Sequence, residues 1–230
     1  MSDRAIELLV DSFPKLLTAG IKVTIPITLG AFLISVLLGI LLAVVQVADV
    51  KVLKQIAVVY IWIFRGTPVL VQLFIIFFGL PYVGIMVDAI PAAIIGFGLN
   101  LAAYNAESIR AAIESVPKGQ TEAAYMVGLS TPELMMRIVL PQAFRVAFPS
   151  LWNNLISLVK DTSLASSITV VEMFTKAQQI AARTYEPLLL YSETAVIYLV
   201  FCTCLTWIQR VTEKKMVWSS EKHRKQLQKA

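Results

Sequence analysis

Several polar side chains stand inside otherwise apolar stretches of this 230-residue chain, and they are the first candidates for chemistry. Ser150, Asn153, Ser157, Lys160 and Asp161 recur at helical spacing, which predicts one polar stripe on a helix. Asn100, Tyr104 and Glu107 repeat the pattern at i, i+4, i+7, while Arg65, Thr67 and Gln72 sit among Val, Leu and Phe. A charge at the centre of a lipid-embedded helix costs at least about 2.5–3.5 kcal/mol, so each such residue is a functional candidate. One reading is a path for a zwitterion. Lys160 and Asp161, near the outer end of their stretch, suit a carboxylate and an ammonium group, with Gln72, Asn100, Asn153 and Ser157 lining the way. The other reading is interhelical glue, worth about 0.6–2 kcal/mol per bond. Arg65, Thr67 and Glu107 read as structural.

Enzymatic chemistry finds little support. The only histidine, His223, lies in the tail, and the chain contains no His-Glu-x-x-His, Gly-x-Ser-x-Gly or Gly-x-x-x-x-Gly-Lys-Ser/Thr pattern. Cys202 and Cys204 fall in an apolar run and read as small packing residues, with no zinc or disulfide partner. Scattered amides without a repeated pore element argue against a channel.

These side chains need helices to carry them. Hydrophobic residues make up 57% of the chain and charged residues 15%, against about 25% charged in soluble domains. With a mean hydropathy of +0.74, the excess belongs against lipid. A bilayer core needs about 20 apolar helical residues. Five stretches qualify as spans, at about 23–47, 56–80, 90–109, 138–168 and 187–208. The expected fold is all-α and polytopic, a single transmembrane domain over residues 1–230, without a soluble domain, an internal repeat or a cleavable signal peptide. Five spans put the termini on opposite sides. Twelve Lys and Arg fall on the side of the tail and six on the other, which predicts a cytoplasmic C-terminus and an external N-terminus. The tail, 210–230, carries seven of those cations and reads as an anchor at anionic lipid, not a nucleic-acid arm.

The predicted cytoplasmic loop, 117–137, carries the clearest local signals. Glu122-Ala123-Ala124 favours a helix, and Gly128 suits the left-handed residue that ends it. Ser130 or Thr131 then caps a second helix, with Pro132 and Glu133 in its first turn.

Glu122-Ala123-Ala124, three residues, Gly128, nine residues, then Ile138-x-Leu140-Pro141 resembles the EAA loop of importer-type ABC transporter permeases. Phe64-Arg65-Gly66-Thr67-Pro68, Ala103-Tyr104-Asn105-Ala106-Glu107 and Lys160-Asp161-Thr162-Ser163-Leu164 look like hallmarks of the polar amino acid subfamily, which takes in histidine, arginine and glutamine permeases. Phe77-Phe78-Gly79-Leu80-Pro81 and Ala182-Arg183-Thr184-Tyr185-Glu186 look most like cystine permeases. The resemblance implies a type I importer permease in the cell membrane, with no cofactor of its own. ATP and Mg would bind a partner ATPase, docked on a coupling helix through Glu122, Ala123, Ala124, Gly128 and Pro141. It also implies an extracytoplasmic solute-binding protein, which Lys160 and Asp161 could instead contact, and a second permease copy, identical or not. L-cystine is the implied substrate, with arginine, histidine or glutamine as alternatives.

Overall fold

The computed structural model describes the backbone of residues 3–48 and 50–227, and side chains as far as 215. Its helices are α1 (Asp3–Ala19), α2 (Ile25–Val47), α3 (Lys51–Gly66), α4 (Val69–Phe74), α5 (Ala89–Glu114), α6 (Lys118–Met126), α7 (Thr131–Leu134), α8 (Leu140–Asp161), α9 (Met173–Thr184) and α10 (Pro187–Leu227). The described residues contain no strand. The tail cations Lys222, Arg224, Lys225 and Lys229 lie where side chains are not described.

Among the described residues, three helical runs are long and apolar enough to cross a bilayer: Asp3–Val47, Ala89–Glu114 and Pro187–Lys215. A fourth candidate is the pair Lys51–Gly66 and Val69–Val83, bent by 104° at the break between them. The helix within the predicted fourth span, α8, is long enough, but its polar stripe lowers its apolar content, and a 3₁₀ segment, Thr162–Ile168, replaces the rest of that span.

The first span also differs from its predicted limits. The helix that carries it does not begin at residue 23. A wide π-helical turn, Gly20–Thr24, joins α1 to α2 without interrupting the helix. The charges of residues 3–22 suggested an external segment, but α1 is amphipathic. It buries Leu16 and Ser12 against α9 and α10, where the Ser12 hydroxyl donates to Glu193.

The centre of the molecule is the packing of α2 on α5, with α8 behind α5. Gly39 and Gly98 permit this approach: a Cβ on Gly39 would lie 2.9 Å from Asn105 Cβ, and one on Gly98 would lie 2.9 Å from Ile34 Cγ2. Between lipid-embedded helices, close backbone contact of this kind replaces the hydrophobic drive available in water. One apolar cluster joins Ile27, Ala31, Leu73, Phe97 and Ile168; a second joins Ala43, Ile109, Ala124 and Ala147, so the 117–137 loop packs back onto the helices it connects.

Candidate functional site

The loop after α5 folds as its residues dictate. The chain leaves α6 through a Schellman turn. Gly128 takes φ +81°, its N–H donates to Tyr125 O at 3.0 Å, and the Leu129 N–H donates to Ala124 O at 3.1 Å. Ser130 then caps α7, and Glu133 reaches back to accept from the Ser130 hydroxyl at 2.8 Å and its N–H at 3.1 Å. Those two bonds, that from the hydroxyl foremost, hold the Glu133 carboxyl below its usual range. Ala124 is buried on the membrane side of the loop, while Glu122, Ala123, Tyr125, Met126 and Val127 face outward. Pro141 is the second residue of α8, directly after the π-helical turn Met135–Val139 that joins α8 to α7. The loop thus presents a short helix with an apolar outer end.

The second candidate region is the break between α3 and α4. Unwinding at Thr67 and Pro68 frees backbone carbonyls, and side chains take them up. Gln72 Nε2 donates to Phe64 O, Thr67 O and Thr67 Oγ1 at 3.1, 3.2 and 2.7 Å. Asn100 Nδ2 donates to Phe64 O and to Gln72 Oε1, both at 3.1 Å. Gln72 is buried. The structure therefore brings Gln72, Asn100 and Thr67 together as a brace for the broken helix, the arrangement that irregular backbone needs at membrane depth. Gln72, expected along an open path, spends its amide on this brace.

Arg65 on α3 and Glu107 on α5 face each other across the two helices. The Arg65 guanidinium lies 5.4 Å from the centre of the Tyr104 ring and 3.8 Å from Glu107. Glu107 also pairs with Arg110 at 3.0 Å, and Arg110 reaches Glu114 at 2.8 Å. The ladder runs down α5 toward the 117–137 loop.

On α8 the predicted single stripe divides. At 100° per residue, Ser150, Ser157 and Asp161 fall within about 40° of one another. All three are exposed. Toward α5 this arc is bounded by the Ser108–Ser150 hydroxyl pair at 2.8 Å and by Asn154, whose amide donates to Asn105 Oδ1 at 2.9 Å. Asn153 and Lys160 lie further round, toward α10. Asn153 Oδ1 accepts from Gln209 Nε2 at 3.3 Å. Lys160 lines a groove of about 570 Å³ with Phe174, Tyr191, Tyr198 and Cys202. Lys160 sits one residue before the end of α8. The antiparallel pairings Trp152–Leu205 and Ile156–Cys202 carry it level with Tyr198, the middle of the apolar run 187–208, because α10 continues outward past the end of α8.

Two polar clusters lay beyond the sequence reading. Asn105 is fully buried, donates to Ser35 Oγ at 2.9 Å and accepts from Asn154, so one side chain ties α5 to both α2 and α8. Glu172 is also fully buried and caps α9, accepting from the N–H groups of Phe174 and Thr175 at 2.8 and 2.7 Å and from the Tyr198 hydroxyl at 3.2 Å. Its signal was an acidic residue enclosed by Val170, Val171 and Met173. Among the described residues, no cluster of His, Cys, Asp and Glu is placed to hold a metal ion.

Comparison with known proteins matches residues 35–218 to the binding-protein-dependent transport system inner membrane component family. The chain is 46% identical over 211 residues to the L-cystine transport system permease protein TcyB of Bacillus subtilis (strain 168), covering 91% of this chain and 90% of the relative. It is 36% identical to the arginine transport system permease protein ArtQ of the same organism, covering 86% and 90%. Among solved structures, a crystal structure of an amino acid ABC transporter with histidines superposes with a TM-score of 0.86 at 32% identity, covering 94% of this chain and all of the other.

Proposed function

The chain belongs to the binding-protein-dependent transport system inner membrane components, and from that premise we propose that it is the permease subunit of an ABC importer whose substrate is L-cystine. Transport, not catalysis, is the role of such a subunit. ATP and Mg bind a separate ATPase, which docks on α6 around Glu122, Ala123, Ala124 and Gly128. A solute-binding protein delivers substrate from outside, and a second permease copy completes the path. The five spans are α1–α2, the bent pair α3–α4, α5, α8 and α10.

The observation that carries this reading is the exposed polar arc of α8. Ser150, Ser157 and Asp161 are exposed along one arc of α8, and no lipid-facing surface would keep them. An arc of hydroxyls and a carboxylate suits a zwitterion, and cystine carries two such ends. Its similarity to a cystine permease over nine-tenths of both chains supports that choice. The resemblance to an arginine permease supports a second reading, another polar amino acid on the same arc. Uptake of labelled cystine, histidine, arginine and glutamine by cells expressing the full complex separates the two. Cystine uptake that exceeds the others supports the first reading; cystine rejected while another is carried supports the second, and none carried removes both.

The topology has its own test. A reporter active only in the cytoplasm is expected to give signal when fused after Lys215 and none when fused after Pro81. The reverse pattern would turn the molecule over.

A further inference from the structure

The arc on α8 is incomplete for a zwitterion. Ser150, Ser157 and Asp161 offer hydroxyls and one carboxylate, which suit an ammonium group but supply no cation for a carboxylate. Lys160, the nearest cation in sequence, is turned into the groove beside α9 and α10. The missing cation stands on α3. Arg65 keeps 46% of its side chain exposed and makes no hydrogen bond among the described residues. Its contact with Glu107, at 3.8 Å, lies beyond hydrogen-bond range, while Arg110 occupies both Glu107 oxygens at 3.3 and 3.0 Å. One continuous polar surface joins Arg65 to the arc. The guanidinium lies over the exposed Tyr104 ring; Tyr104 and Ser108 are one turn apart on α5; and the Ser108 hydroxyl meets that of Ser150 at 2.8 Å.

We propose that Arg65 and Asp161 form a two-point gauge of substrate length: Asp161 takes an ammonium group, and Arg65 takes the carboxylate at the other end. The proposal rests on the reading of the arc as the substrate path. Asn154 of α8 bonds Asn105, the neighbour of Tyr104, and so marks the level of Tyr104 and Arg65 on α8. Asp161 lies seven residues further along, about 10 Å away. An ordinary α-amino acid carries its ammonium and carboxylate on one carbon and cannot meet both residues. In cystine the two α-carbons are themselves about 5.5–6 Å apart across the disulfide, and the charged groups project beyond them. The ligand class is therefore an amino acid with a second charged end about one disulfide away. The planar guanidinium grips the far carboxylate in bidentate fashion, as a lysine ammonium does not. Without substrate it rests beside Glu107 and over the Tyr104 ring.

The test measures binding of L-cystine and of S-methyl-L-cysteine, which has one zwitterionic end only, to the purified permease–ATPase complex without binding protein. Arg65→Gln is expected to weaken cystine about tenfold or more, the loss of the charged hydrogen bonds to one carboxylate, and to change S-methyl-L-cysteine by less than about threefold. Arg65→Lys keeps the charge without the fork and is expected to fall between, for cystine alone. It carries the test if melting shows that Arg65→Gln does not fold. Glu107→Gln is expected to bind cystine at least as tightly as the native chain, since it removes a competitor for the guanidinium. Equal losses for the two ligands, unchanged cystine affinity in both Arg65 variants, or the same loss in Glu107→Gln overturns the proposal; the last result would make Arg65 a partner of Glu107 and nothing more. Asp161→Asn separates the gauge from the reading beneath. Cystine lost there but held normally by Arg65→Gln sinks the role of Arg65 alone, whereas normal binding by Asp161→Asn removes Asp161 from the substrate path and the gauge with it.

Discussion

Replacing Gly128 with valine is expected to lower uptake at least about tenfold and to reduce ATPase recovered with the permease from detergent, while asparagine at the same position leaves both near normal. Gly128 holds φ +81°, and a Cβ there meets nothing within 4 Å. Space is therefore not the issue; backbone conformation is. A β-branched residue forced into the left-handed region costs on the order of 1–3 kcal/mol, and about 1.4 kcal/mol is a factor of ten. The chain escapes that strain by opening the Schellman turn, which sets the angle between α6 and α7. Asparagine visits the left-handed region with little penalty. Equal loss in both variants would mean that the position senses side-chain bulk at an interface; no loss in either would remove the loop from coupling.

The second large effect is expected inside the bundle. Asn105→Ala should lower the melting temperature of the purified protein by several degrees, with a loss of about 1–3 kcal/mol for a buried polar group left unpaired. The cost falls chiefly on Asn154, whose amide loses its acceptor, because the Ser35 hydroxyl keeps its own bond to Phe32 O. Asn100→Ala is a useful contrast: it takes the donor from Gln72 Oε1, but Asn100 is only half-buried and Gln72 still holds the Phe64 and Thr67 carbonyls without it, so stability should suffer less. A scan in which the two variants melt alike would show that the Asn105 network is not the tie between α2, α5 and α8.

Much of this was legible in the chain itself. The turn at Gly128 and the cap at Ser130 depend on neighbours within five residues, and local chemistry was enough to place the turn and to narrow the cap to Ser130 or Thr131. The all-helical architecture followed from apolar run lengths. What escaped were pairings between distant residues. Gln72 and Asn100 are 28 positions apart, and only the 104° bend of the second run brings them onto the same carbonyl. The stripe on α8 was correctly spaced, but periodicity does not tell which neighbour each side chain meets, so the turn of Lys160 and Asn153 toward α10 was hidden. Glu172 was overlooked because an acid between apolar residues and a short amphipathic helix reads as a loop. That residues 3–22 form a helix continuous with the first span was hidden by their charges, which line one side of a helix that buries the other.

α10 runs 41 residues without a break, and after its first position it contains neither proline nor glycine. It is therefore a lever with one arm among the outer helices and the other reaching inward past the apolar run. If Tyr198 is its fulcrum, a swing of only about 5° carries the far end, some 29 residues away, by about 4 Å. A small displacement of the short outer arm, which packs on α1 and α9, would be magnified at the basic end of the rod, and load applied at that end would return to the outer arm reduced in travel and increased in force.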